Sequence, residues 1–529
     1  MKRTISLFSV IVCGLMFFAS CSKSPDVASY IPREAIMVMD VDVNTLFKKA
    51  DVAHIDNIAI AKMARQELRK ENPQMGKLVD DIIADPTSCG LDLREDVTVY
   101  FDASFGGSCL AAMHKEGKFA DFLTRFAKDN DSEISIEEKD GYRLADIDGR
   151  HVAFNDEVAL FILGFGHNED QIAKAMHLQK EESMASSTNF GDYWRNRGEV
   201  SMWMDFGNLL DIAESMGGIN ALSESGMPAE YWDMLKEGSF AMNMIFDKGA
   251  VRFVVETQGI DSRIMKDYEQ PFNANLLDYM PEETYVAATM AMPVDKMLEA
   301  LEESDEMDLD DEVAGGKSIR EVVKAFGGSI AISLFDIVQE EKVLPLIAVA
   351  ADVRDGAVVR EVLASAGLQQ KDGAYVIPDF GIGEISITLT DDVVVIANTV
   401  EVTERAMAGG YGNGMKAIAS KAKKGNYFYA NLNLGLYPVA FTDLLPQDAV
   451  HVLANFLDYT EAYNKDSSHA EWVVYLQDKR RNSLLSMLHF VDDNLVDLTS
   501  LAETLGGQDE CEIVTDTLYV ESDGDMHID

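Results

Sequence analysis

Three observations predict an α+β fold of two similar tandem units, each with a mainly antiparallel sheet and packed helices. Strand-like runs follow one another across short Asp-Gly and Asn-Asp turns, as in hairpins rather than crossovers. Helical segments gather between groups of strands instead of alternating with single strands. The same order of features is met twice, at a spacing that drifts from about 249 to about 231 residues, far above any solenoid period.

In chain order, residues 1–20 read as a secretory signal. Met1-Lys2-Arg3 is a basic start, 5–18 is an almost unbroken apolar run, and Phe18-Ala19-Ser20-Cys21 is a lipoprotein cleavage box. The run is too short to span a bilayer. Cys21 is the expected lipid attachment site, and 21–29 the tether. The first unit, 30–275, opens on Tyr30-Ile31-Pro32-Arg33-Glu34, and the second, 276–505, on Tyr279-Met280-Pro281-Glu282-Glu283. Each opening leads through an apolar run, 35–43 or 284–292, into an amphipathic helix. Asn44 is expected to cap the first, with Leu46, Phe47 and Ala50 on one face. Pro293 suits the start of the second, with Met297, Leu298 and Leu301.

A long helical segment, 51–84, is expected only in the first unit. The second has an acidic loop, 302–312, and a helix near 318–325. Strand 97–102 matches 329–336, both ending in an apolar-Phe-Asp step, and 109–114 matches 344–351. Helices 119–128 and 356–366 follow, then turns at Asp140-Gly141 and Asp372-Gly373. Asn155-Asp156-Glu157 and Thr390-Asp391-Asp392 are hairpins into buried strands. Helices ending at Met176 and Met407 come next, then strands beginning near Gly198 and Gly425. Each unit closes on a hairpin, 240–246 with 251–257 in the first and 472–476 with 484–490 in the second. The tail, 506–529, is polar and acidic, and 511–520 can add an edge strand.

Composition excludes some functions. Asp and Glu number 91 against 45 Lys and Arg, a net charge of −46. Such a surface repels phosphate, so nucleic acid is not an expected partner. The bland meaning of this charge is solubility; the functional one is a bound cation or a basic partner. No second apolar stretch approaches a membrane span. Of the cysteines outside the signal and lipid site, Cys89 and Cys109 are the only pair close in sequence, with Cys511 left over. Buried free thiols are preferred to a Cys89–Cys109 disulfide.

Searches for chemistry return little. The nine histidines are scattered, with none three or four residues from another. There is no Gly-x-Ser-x-Gly, P-loop, dinucleotide-binding glycine motif or Cys-x-x-Cys. Gly106 and Gly107 read as a hairpin hinge. Carboxylates are too abundant for a catalytic pair to stand out. Two acidic clusters, Asp305, Asp308, Asp310 and Asp311, and Asp523 with Asp525, are weak calcium candidates without EF-hand spacing. No catalytic residue and no cofactor is assigned. Met37, Met39, Met202, Met204, Met242 and Met244 sit at strand alternation and are expected in the core. So are Trp203 and Trp472, whereas Trp194 and Trp232 are the ones expected at the surface.

The lipobox, the Tyr-x-Pro-x-Glu opening and the doubled unit together resemble a family of Bacteroidota lipoproteins known only as a domain of unknown function. The resemblance implies an outer-membrane lipoprotein and brings no activity, cofactor or site residues. Surface-exported members of that phylum often carry an acidic run after the lipid cysteine. Ser22-Lys23-Ser24-Pro25-Asp26 departs from it, so the periplasmic face is favoured over the cell surface. The expectation is a lipid-anchored binding or scaffold module for an unknown protein or glycan. The alternatives are an envelope glycan or peptidoglycan hydrolase using cleft carboxylates, and a calcium-assisted surface adhesin.

Overall fold

Strand β1 (Met37–Val41) shows how the protein is built: Val38 is fully buried on one face, while Met39 and Val41 lean into a different core on the other. Such alternation recurs across a 20-stranded sheet. The structure is a computed structural model and describes residues 27–102, 106–163, 169–215, 235–260, 269–303, 308–339, 343–378, 383–412, 415, 418–423, 425–495 and 498.

After β1 come β2 (Val97–Asp102), β3 (Gly106–Ala112), β4 (Ile134–Glu138), β5 (Arg143–Ile147), β6 (Arg150–Phe154), β7 (Val158–Ile162), β8 (Val200–Asp205), β9 (Ser239–Asp247) and β10 (Ala250–Gln258). The second half supplies β11 (Val286–Ala291), a small separate pair β12 (Glu312–Ala314) and β13 (Lys317–Ser318), then β14 (Phe326–Gln339), β15 (Val343–Val353), β16 (Gln369–Lys371) and β17 (Ala374–Ile377). It ends with β18 (Ile385–Leu389), β19 (Val393–Ala397), β20 (Tyr427–Asn431), β21 (Leu457–Asp466) and β22 (His469–Leu476).

Hydrogen-bond register sets the order β4-β5-β6-β7-β3-β2-β1-β8-β9-β10 through the first half. From β10 it runs on through β22-β21-β20-β11-β14-β15-β19-β18-β17-β16. All of these pairings are antiparallel, as the hairpin-rich sequence predicts. Asp148-Gly149 and Asp372-Gly373 hold positive φ at both central turn positions. That twist matches the strands they join.

Helices cover both faces. In the first half, helices Pro73–Ala84 and Glu116–Asp129 flank one core, into which the latter drives Phe119 and Leu123 against Phe154 and Phe161. Ile172, Phe190 and Tyr193, from helices Glu169–Met176 and Thr188–Arg195, close the other face over Trp203. In the second half, helix Val400–Met407 lies over Ala331, Ala348 and Val395. Helix Gly356–Ser365 lies over Val353 and Val394 on the opposite face.

The structure revises several expectations. The first helix runs Val43–Lys49, and its cap is Asp42, whose carboxylate accepts from the Thr45 amide at 2.8 Å, not Asn44. Residues 484–490 are not a strand: they lie in helix Ser483–Asp493, capped by Asn482. The closing hairpin of the second half is β21 with β22, turning between Asp466 and His469. Trp472 is 48 % exposed rather than core, while Trp203 is buried as expected. Trp194 is half-buried beside Phe190, and Trp232 lies outside the described residues. The six strand methionines are half-buried. Cys89 and Cys109 are buried free thiols, as preferred from the sequence.

Trp203 is 1 % exposed and meets the Phe190 ring edge to face at 5.2 Å. Trp203→Ala is expected to cost about 3–5 kcal/mol of folding free energy. Urea unfolding followed by far-UV circular dichroism measures it.

Candidate functional site

Three places concentrate polar or aromatic chemistry. The first lies where β1 passes between β2 and β8. Asp40 is fully buried there, accepting from the Thr98 hydroxyl at 2.8 Å and from Arg197 Nε at 2.7 Å. Arg197 Nη2 donates to Asp96 at 2.5 Å, Nη1 donates to the Trp194 carbonyl, and the guanidinium lies 3.8 Å from the centre of the Trp194 ring. Burial holds the Asp40 carboxyl above its ordinary range, at about 7, even with Arg197 pulling the other way. All three guanidinium nitrogens of Arg197 donate to protein acceptors, which ties β1 to the segments carrying Asp96 and Trp194.

The second place is the middle of the sheet, on β20, β21 and β22. Glu461 accepts from Tyr475 at 2.8 Å, from Tyr427 at 3.3 Å and from Lys421. Glu471 accepts from Tyr463 and Lys465, each at 2.5 Å, and from Arg252 of β10 at 3.5 Å. Burial works against the charge on Glu471, but Lys465, Tyr463 and Arg252 together hold its carboxyl below the ordinary range. Burial, then Glu461, pushes the Tyr475 phenol well up. These phenols therefore act as fixed donors to the two carboxylates.

On the opposite face of the same strands, one cross-strand row is apolar from end to end. It runs Val41, Val200, Met244, Phe253, Trp472, Ala462, Phe428, Ala288, Ile332 and Val349. Phe253 stacks on Trp472 with centroids 4.9 Å apart. Trp472, Phe428 and Ile332 are each more than one-third exposed.

The third place is a cavity of about 540 Å³ lined by Pro281, Glu283, Thr284, Tyr285, Phe335, Asp336, Asn431 and Leu436. Its aromatic wall is built in depth: Tyr285 stacks on Tyr437 at 4.4 Å, and Tyr437 on Phe441 at 5.2 Å. The Tyr437 hydroxyl is anchored on the Asn431 carbonyl at 2.7 Å. A smaller cavity of about 320 Å³ between helices Pro73–Ala84 and Glu116–Asp129 reaches Cys89. Burial raises that thiol above its ordinary value, which disfavours the thiolate.

The residues singled out from sequence lie elsewhere. Cys21, Asp305, Asp523 and Asp525 fall outside the described residues. Asp308 accepts from the Asp310 amide at 3.0 Å, and Asp310 pairs with Arg320 at 3.2 Å, so the structure builds a turn from this stretch. Asp310 and Asp311 are exposed. Among the described residues no group of three or more His, Cys, Asp or Glu is placed to hold a metal ion. Sequence reading missed Asp40, Arg197, Glu461, Glu471 and Tyr285. The signal for Asp40 was present: a carboxylate at an inward position of an otherwise apolar strand.

Comparison with known proteins adds a family and little else. The family described as "Domain of unknown function (DUF4836)" matches residues 28–484. No curated protein matches. A solved structure titled "Structure of crystal form I of TP0453" is similar at 11 % identity and a TM-score of 0.24, covering 47 % of this chain and 88 % of that one.

Arg197→Met would leave Asp40 buried without its counter-charge, at an expected cost of about 3–5 kcal/mol near pH 8. The deficit should shrink towards pH 5. An unfolded aspartate titrates near its ordinary value of 3.8, while the buried Asp40 takes up a proton well above it. The folded variant therefore binds more protons across that window, and its stability falls as pH rises. Urea midpoints at the two pH values check both size and sign.

Proposed function

The chain belongs to the DUF4836 family over residues 28–484, and we propose that it is a lipid-anchored bacterial envelope protein whose duplicated α+β unit forms a non-enzymatic binding or scaffold module. The lipobox at Cys21 and the Tyr-x-Pro-x-Glu openings support the anchor and the outer-membrane setting. The absence of an acidic run after Cys21 favours the periplasmic face.

Strand order supports the duplication. β1 lies between β2 and β8, and β11 lies between β14 and β20. Outward from there, β3-β7-β6-β5-β4 is matched by β15-β19-β18-β17-β16, and β9-β10 by β21-β22. The hydrogen bonds agree in detail. The Ile36 amide donates to Phe101 O and the Ile36 carbonyl accepts from Asp205 N; the Tyr285 amide donates to Leu334 O and its carbonyl accepts from Asn431 N. By this register Phe101 corresponds to Leu334, so the apolar-Phe-Asp steps matched from sequence are displaced by one residue.

The observation that carries the reading is the seam. Phe253 is the fourth residue after the turn Lys248-Gly249, and Trp472 the fourth after Ser467-Ser468. Each pairs with the other where β10 meets β22. Equivalent strands meeting antiparallel at equivalent residues is what a local twofold axis produces. The result is one broad surface spanning both halves, a shape suited to holding a partner. The buried carboxylates Asp40, Glu461 and Glu471 are already engaged by cations, which favours binding over acid–base chemistry.

The anchor is tested with Cys21→Ala. The variant is expected to move from the membrane pellet to the soluble envelope fraction with an unchanged melting temperature. A variant that stays in the pellet would remove the lipid anchor from the proposal.

A further inference from the structure

The cavity beside the second opening motif differs in charge from the matching place in the first half. In the first half the motif is neutralised from within. Glu34 lies 3.9 Å from Lys174, and Arg33 acts electrostatically on Asp205. The Asn208 amide lies in the same corner, donating to the carbonyls of Arg33 at 3.1 Å and Ala35 at 2.9 Å. In the second half Glu282 stands where Arg33 stands, and Glu283 where Glu34 stands. Glu283 has no hydrogen bond or ion pair among the described residues, and the lining contains no Lys or Arg. Arg405, at the place of Lys174, instead lies 5.6 Å from the centre of the Tyr411 ring. Tyr285 takes the place of Ile36, and it lines the cavity.

We propose that this cavity binds an organic cation, an alkylammonium or guanidinium group on an apolar stem, with Glu283 and Asp336 as counter-charges and Tyr285, Phe335 and Leu436 as walls. A negative, half-enclosed site with aromatic faces attracts such a group twice over, through the carboxylates and through the ring quadrupoles. Both carboxylates act on Tyr285, whose phenol is raised first by burial and then by Asp336 and Glu283. The volume of about 540 Å³ falls within the range of small-ligand sites. The surplus of acidic residues over the whole surface concentrates cations near the opening. The comparison of the halves rests on the proposed duplication; the cavity and its charge do not.

The experiment is calorimetric titration of the purified full chain with n-butylammonium at fixed ionic strength. Butanol serves as the neutral control and Mg²⁺ as the inorganic one. One-site saturable binding is expected for n-butylammonium alone. The double variant Glu283→Gln, Asp336→Asn should weaken it by about tenfold or more. Both side chains are exposed, so the variant should keep its melting temperature. No saturable heat, equal binding in the double variant, or equal competition by Mg²⁺ would overturn the proposal. An N-acetyl-lysine methylamide that binds more tightly than n-butylammonium assigns the cation to a basic protein segment. Weaker or equal binding assigns it to a free amine. The titration reads the cavity and not the anchor, so its failure would leave the Cys21→Ala result standing, and the reverse.

Discussion

The pairing of β10 with β22 is the constraint on which the molecule turns. Without it, each half would end on a strand of eight or nine residues with an unpaired edge, an invitation to aggregation. With it, backbone groups from 250–256 are answered by those from 469–475. Strand alternation then fixes what each face carries. Phe253 and Trp472 point to one side and stack. Arg252 points to the other and reaches Glu471 across the seam. One register therefore sets both the exposed aromatic row and the buried charged row.

The charged row explains where a strongly acidic chain spends its cations. With 45 basic residues against 91 acidic ones, there are about half as many cations as carboxylates. The three most deeply buried carboxylates each have a cation: Arg197 serves Asp40, Lys421 serves Glu461, and Lys465 with Arg252 serves Glu471. Burying a lone carboxylate costs several kcal/mol, whereas an exposed one costs little. The surplus negative charge is thus left on the outside, where it makes a long-range field without weakening the core.

Much of this fold is legible in the sequence, and the failures have physical causes. The Asp-Gly turns, the helices ending at Met176 and Met407 and the strand over 97–102 all lie where pattern places them, because local turn chemistry and apolar periodicity agree there. Strand β21 is hidden for the opposite reason. Its inward positions are Glu461 and Tyr463, made buriable only by Lys421, Lys465 and neighbouring tyrosines, so no apolar alternation marks it. Helix Ser483–Asp493 is misread as a strand because its apolar residues run nearly without interruption; the Asn482 cap was the usable sign. The candidate cavity was half legible. Its opening motif stands out, but the aromatic stack joins Tyr285 to Tyr437 and Phe441, which are about 150 residues away and which no local pattern connects to it.

How the proposed duplication could yield a neutralised corner in one half and a negative cavity in the other follows from a single irregularity. In the first half β2 pairs with β3 without a break, Phe101 against Gly107. In the second, the register of β14 against β15 shifts between Leu334 and Asp336. A bulge of this kind bends the strand and re-aims the side chains beside it. Phe335 and Asp336, the two residues at the shift, both line the cavity. The backbone framework around Tyr285 is otherwise that around Ile36, down to the amide and carbonyl partners. A change of pocket therefore needs no change of fold: one extra residue in a strand, a tyrosine for an isoleucine and a glutamate for an arginine are enough to exchange an internally neutralised corner for a negative cavity.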